Sequence, residues 1–263
     1  MTGRLRMRAD QLLVERGLAA SRSQAQRLLA AGVSWRIGIG PWIAVRKNGD
    51  DLPGHADLRL HDAAEAKYVS RGGLKLEGAL QQTGWDVTGL HCLDVGQSTG
   101  GFTDALLRAG ASRVVGIDVG HGQLHERLAR HPQVTCIEGL NARDLQALDT
   151  RLQAGCGFDG VVGDVSFISL TLVLPAIVAQ LRPGGRLLML VKPQFELQPG
   201  QLGKGGLVKD PALYEGVRER IEQAGLACGL TDLRWLQSTI EGGDGNREFF
   251  IFATCPQHGT QTS

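Results

Sequence analysis

The stretch LDVGQSTGGFTDALLRAGA, residues 93–111, decides how this chain is read. A short apolar run carries a carboxylate, Asp94, near its end. Glycines at 96, 100 and 101 then break the pattern, and an apolar-periodic segment runs to Gly110. Strand, glycine-rich turn and helix in that order form a ligand grip at the carboxyl end of a parallel strand. No lysine follows Gly101, so the turn is not the phosphate loop G-x-x-x-x-G-K-[ST]. Nor does Gly96-Gln97-Ser98-Thr99-Gly100-Gly101 fit the dinucleotide fingerprint G-x-G-x-x-G.

A second acid, Asp118, closes the next apolar run, where a carboxylate hydrogen-bonds a ribose diol. A ribose grip without a pyrophosphate grip points to S-adenosylmethionine, with Asp94 near the turn that receives the methionine portion. A glycine turn that only packs a helix on a sheet is the plain alternative.

From residue 90 onward the chain alternates strands with helices. Strand candidates are 91–95, 113–118, 134–138, 159–164, 186–192, 226–236 and 247–254; helix candidates are 102–109, 121–130, 143–153, 169–181 and 210–224. Asp210-Pro211 reads as a helix start. The alternation predicts an α/β, Rossmann-like methyltransferase sheet with helices on both faces, its last two strands an antiparallel edge pair.

Ahead of it, ADQLLVERG (9–17) and SRSQAQRLLAAG (21–32) read as two short helices closed by Gly17 and Gly32, the second opened by a Ser21–Gln24 capping box. Residues 33–54 alternate apolar and polar, with turns at Asn48-Gly49 and Pro53-Gly54. This predicts a small α+β domain over 1–60, a linker and helix over 61–89, and the methyltransferase domain over 90–263.

Charge supports the division. Residues 1–47 carry nine Lys/Arg against two Asp/Glu, a net of +7, and the rest carries 19 against 25, a net of −6. A basic head on an acidic body fits a polyanionic partner, and Arg22 and Arg27 on the polar side of the second helix are its candidate RNA contacts. The start of the chain lacks the apolar stretch of a signal peptide. The run LLMLV (187–191) falls far short of the ~18 residues of a membrane span. Five cysteines at 92, 136, 156, 228 and 255 make no CxxC pair and no metal-ligand spacing. They read as reduced core residues of a cytoplasmic protein without a metal.

What is methylated should be written near the fourth strand of the sheet. An amino-group methylase of nucleic acids carries [DN]-P-P-[YF] there, whereas this chain has Asp164-Val165-Ser166-Phe167. A cytosine-carbon methylase needs a nucleophilic cysteine there, and none is present. Spread along the chain instead are Lys75, Asp164, Lys192 and Glu248 at strand or helix ends, a set suited to methylating a ribose hydroxyl. A 2′-hydroxyl holds its proton tightly. A lysine can accept it only when neutral, a form favoured by a second lysine and a sulfonium nearby. The acids would orient the lysines and the hydroxyl. Blandly read, Lys75 is a solvated helix lysine, Glu248 a surface strand acid and Asp164 a turn residue; Lys192, between an apolar strand and Pro193, resists such a reading.

KYVSRGGLKLEGAL (67–80), DVGQSTGGFTD (94–104), GDVSFISL (163–170), LVKPQFE (190–196) and GNREFF (245–250) together closely resemble the TlyA family. Its members resemble ribosomal-RNA cytidine 2′-O-methyltransferases with a catalytic domain of the FtsJ type. The resemblance implies a catalytic tetrad of Lys75, Asp164, Lys192 and Glu248. It implies cofactor contacts at Gly96, Ser98, Gly100 and Asp118, and Asn141 near the adenine. It also implies that the α+β domain over 1–60 is an RNA-binding domain, with ribosomal RNA or ribosomal subunits as partner. One departure is plain: the short V-x-V-N-G ending of the family's RNA-binding module is replaced by VSWRIGIGPWIAVRKNG (33–49). Two other readings remain: a non-catalytic RNA-binding or ribosome-assembly factor, which intact lysines and acids argue against, and the family's old haemolysin label, which no membrane-length segment supports.

Overall fold

The structure is a computed structural model, describing residues 6–19, 21–61, 67–148 and 157–257. It divides into two compact units, Met1–Leu74 and Lys75–Ser263.

In the first unit, β1 (Arg6–Arg8) leads into α1 (Ala9–Glu15) and α2 (Arg22–Ala31). The strands β2 (Val33–Arg36), β3 (Ile43–Ala44), β4 (Asp51–Pro53) and β5 (Asp57–Leu60) follow. Leu12 and Leu13 of α1 and Ala25 and Leu28 of α2 bury their apolar sides against Val33 and Leu52. The Ser21 hydroxyl accepts from the Gln24 amide at 3.2 Å, capping α2, and Gly17 and Gly32 end their helices at positive φ. Strands β3, β2 and β5 form an antiparallel sheet, and β1 pairs with β4.

The second unit is built on β6 (His91–Val95), β7 (Arg113–Asp118), β8 (Val134–Glu138), β9 (Phe158–Gly163), β10 (Leu181–Val191), β11 (Thr231–Gln237) and β12 (Phe249–Thr254). They form one sheet in the order β11-β12-β10-β9-β6-β7-β8. The five strands β6 to β10 run parallel, and β12 lies antiparallel between β10 and β11. The order reverses between β6 and β9, the switch point where ligands bind in such sheets.

Around the sheet lie α3 (Gly72–Thr83), α4 (Gly101–Arg108), α5 (Glu126–Ala129), α6 (Leu170–Val178), α7 (Pro193–Glu196) and α8 (Leu213–Ala227). Alternating residues of β12 show both faces covered: Phe249 meets Tyr214 of α8, whereas Phe250 stacks with Phe102 of α4.

Several expected boundaries move for identifiable reasons. The helix expected over 121–130 is only α5: Gly122 has φ +64°, and its N–H is held by Glu138 at 2.7 Å, so 119–125 is a loop. The helix expected over 143–153 is a 3₁₀ turn, Leu145–Ala147, and residues 149–156, with Cys156, lie outside the described residues. Asp210 accepts from the Ala212 amide as a turn, and α8 starts at Leu213 and runs to Ala227, so the strand expected over 226–236 begins at Thr231, after Gly229 at φ +80°. Of the cysteines placed in the core, Cys92 is buried, but Cys136 is exposed on the sheet's edge strand, and Cys228 and Cys255 are half-buried.

Candidate active site

At the carboxyl ends of β6, β7 and β9 lies a cavity of about 570 Å³, within the range of small-molecule and cofactor sites. Gly96, Ser98, Asp118, Asn141 and Asp164 line it, with Ile117, Leu140, Val165 and Val173 as apolar wall. Gly96 is required by geometry. Its φ is +81°, and a Cβ there would sit 2.6 Å from the carbonyl oxygen of Asp164. Asp118 accepts from the Ser98 amide and the Gly120 amide, each at 2.7 Å. A carboxylate has about four lone-pair directions, so a ribose diol could still be received. Ser98 itself has φ +47°, and its hydroxyl donates to Gln123. The Oδ1 of Asn141 accepts from the Arg143 amide at 3.0 Å.

Two of the residues expected to contact the cofactor do not line the cavity. Asp94 is fully enclosed beneath the turn, because its side chain points toward α4: the Thr103 hydroxyl donates to it at 2.7 Å, and Gln97 donates to that hydroxyl at 2.8 Å. Its contribution is to hold the turn. Gly100 is the left-handed N-cap of α4, packed under Leu128 and Leu124 rather than lining the cavity.

Burial pushes the Asp94 carboxyl up to about 7, partly opposed by the Thr103 hydrogen bond. An acid with a raised folded pKa keeps its proton in the folded chain when the unfolded chain has lost it. Its contribution to stability is therefore greatest below the ordinary carboxylate range of ~3.9, falls as pH rises, and levels off above about 7. Asp94→Asn abolishes that titration, so denaturant melts at stepped pH should give a flatter stability profile across this window. Parallel profiles for variant and parent would contradict this account of Asp94.

The four ionisable candidates come together at the strand ends beside the cavity. Lys192 follows β10 and Asp164 follows β9, its parallel neighbour; the Nζ of Lys192 pairs with Asp164 Oδ1 and donates to the Ser166 hydroxyl at 2.7 Å. Glu248 precedes β12, whose antiparallel register sets Phe249 opposite Val191 and so brings Glu248 level with Lys192. Lys75, on α3, pairs with Glu248 at 2.5 Å, both side chains nearly enclosed. Burial raises the Glu248 carboxyl above its ordinary value; Lys75 opposes this, and the charges of Asp164 and Lys192 are also felt there. These are two lysine–acid pairs in one shared field.

Glu196 of α7 accepts from the Leu170 amide and the Ser169 hydroxyl, tying the segment after Lys192 to the start of α6. Asn246 donates to the Gly206 carbonyl and accepts from the Val208 amide, clasping the glycine-rich segment after α7.

Residues 68–255 match the FtsJ-like methyltransferase family. The chain belongs to that family, among the TlyA proteins. It is 41% identical over 247 residues, 94% of this chain and 89% of the relative, to the 16S/23S rRNA (cytidine-2′-O)-methyltransferase TlyA of Mycobacterium tuberculosis. To Hemolysin A of Brachyspira hyodysenteriae it is 36% identical over 245 residues, covering 92% of this chain and 98% of that one. A solved structure named as a hemolysin from Streptococcus thermophilus superposes with a TM-score of 0.72 at 35% identity, covering 99% of this chain and 94% of that one.

In this FtsJ-like methyltransferase, sequence reasoning passed over Phe167. It lines the cavity at φ +64°, an outlier for a bulky side chain, is 89% exposed, and packs 5.1 Å from Phe195. Its backbone conformation has no signal in the sequence.

Proposed function

We propose that this chain transfers the methyl group of S-adenosylmethionine to the ribose 2′-hydroxyl of a cytidine in ribosomal RNA. The observation that carries the reading is the pair of lysines, each bound to an acid, beside a nucleoside-sized cavity that has neither an amine clamp nor a cysteine nucleophile at its rim. The cavity's chemistry fits the cofactor: Asp118 would hold the ribose diol, and Asn141 with Leu140 and Val165 would flank the adenine. The bound cofactor supplies a methyl group on cationic sulfur.

Lys192, held by Asp164 and Ser166, acts as the neutral amine and takes the proton of the acceptor hydroxyl as its oxygen bonds the methyl carbon and the carbon–sulfur bond breaks. Lys75, anchored by Glu248, orients that hydroxyl, and the exposed Phe167 offers a surface on which the acceptor base stacks. The rRNA substrate of the TlyA relative and the basic head support an rRNA acceptor. Among the described residues no helix is long and apolar enough to cross a membrane.

Incubating the protein with ribosomal subunits and tritiated cofactor should place label in rRNA. Tight binding without label would make the chain a non-catalytic ribosome-binding factor.

Asp118→Ala should weaken cofactor binding by ~1.5–3 kcal/mol, the worth of charge-assisted hydrogen bonds. Calorimetry showing parental affinity would remove Asp118 from the ribose.

In the head, Arg22 is exposed and shares the buried Asp10 carboxylate with Arg8, at 3.1 Å and 3.0 Å. Replacing Arg22 and Arg27 with Ala should flatten the log–log salt dependence of rRNA binding by roughly one to two units. Identical slopes for variant and parent would turn both arginines away from phosphate.

A further inference from the structure

We infer that the tip of the β2–β3 hairpin, residues 37–43, is a wedge that engages unpaired bases of ribosomal RNA through an apolar point and an arginine–tryptophan stack. This deepens the proposed function and rests on it. The wedge occupies IGIGPWI, the stretch joining β2 to β3.

Ile39 stands at the tip 104% exposed, and Ile37 and Ile43 are exposed beside it. Single exposed isoleucines are ordinary, but three around one turn form an apolar point. The turn is built to hold them. Gly38 sits at φ +55°, the Gly40 amide donates to the Ile37 carbonyl at 3.1 Å, and Pro41 fixes the following backbone. Little entropy remains to be lost when such a tip is buried.

Behind the point, the guanidinium of Arg36 lies 4.5 Å from the Trp42 ring centre and that of Arg59 lies 5.8 Å away. Arg36 is also aligned by Asp57 at 3.3 Å. Stacked indole and guanidinium planes are what splayed bases stack on. Arg46 and Lys47 stand exposed in the next turn, whose backbone amides are held by the Asp50 carboxylate at 2.8 and 3.1 Å. Arg36 and Arg59 thus back three isoleucines and a tryptophan at the tip, while Arg46 and Lys47 lie at the base of the hairpin, past the Ser34–Ala44 pair. Phosphates answer the cations and unpaired bases answer the apolar and aromatic surface, so one RNA loop satisfies both.

The test measures binding of the full chain to ribosomal subunits and to deproteinised rRNA across a salt series, for the parent, Ile39→Ser and Trp42→Leu. A side chain as exposed as Ile39 can be replaced without disturbing the fold. Each variant should bind both RNA forms at least ~10-fold more weakly, as expected for a lost stacked base or buried apolar contact, with the salt slope unchanged. Parental affinity in both variants overturns the wedge. So does a loss confined to intact subunits, which would assign the tip to a ribosomal protein. Unchanged RNA affinity with Ile39-dependent binding to phosphatidylglycerol vesicles would overturn it in favour of a membrane surface. A parent that binds no rRNA would overturn the proposed function, and the wedge with it.

Discussion

Lys192→Ala should slow methyl transfer to rRNA by about 100–10,000-fold, the range for losing a general base, while cofactor affinity changes little. Lys192 sits where β10 gives way to α7, with Pro193 fixing the backbone after it and Glu196 fastening α7 to α6. Its Nζ is therefore held in place, paired with Asp164 and donating to Ser166. Lys192→Arg is the sharper variant. A guanidinium keeps the charge and the ion pair but stays protonated, so it should be almost as slow as the alanine variant. Single-turnover kinetics on ribosomal subunits distinguish the cases. A near-parental arginine variant would make Lys192 a positioner of charge and move the base to Lys75.

Lys75→Met should cost roughly 3–5 kcal/mol of stability, because it strips a nearly enclosed carboxylate of its partner. Glu248 can relieve part of that cost by holding a proton, and burial already raises its pKa. Without Lys75 the rise should be larger. The folded variant then keeps a proton that its unfolded chain loses, so its deficit should grow as pH rises above the ordinary carboxylate range. Adding Glu248→Gln removes the stranded charge and should restore most of the stability in urea melts, while methyl transfer stays lost. A double variant as unstable as the single one would mean that the pair is not the source of the loss.

The sheet was legible where one local rule governs. Strands β6, β7 and β8 are short apolar runs bounded by turns, and the expected boundaries coincide with the observed ones. Local pattern failed where distant groups decide. Residues 121–125 look helical, but Ser98 holds Gln123 and Glu138 holds the Gly122 amide in a loop beside the cavity. Leu226 and Ala227 look like the start of a strand, but they complete the last turn of α8. Cys136 looks like core, but β8 is an edge strand.

The site followed the same division. Lysines and acids at element ends could be named from sequence, but which lysine meets which acid depends on β10 lying between β9 and β12. Asp94 lies by the turn as expected, but a continuous apolar run does not show that its side chain is enclosed under the turn rather than lining the cavity. Phe167 was invisible because no local sequence pattern marks its left-handed backbone.

The central claim is the identity of the methylated atom, and nucleoside mass spectrometry tests it most directly. Ribosomal RNA treated with the protein and deuterated-methyl cofactor is digested to nucleosides. The labelled methyl should appear as 2′-O-methylcytidine, and be absent when Lys192→Ala is used. Label on a base, in either reaction, would contradict the account.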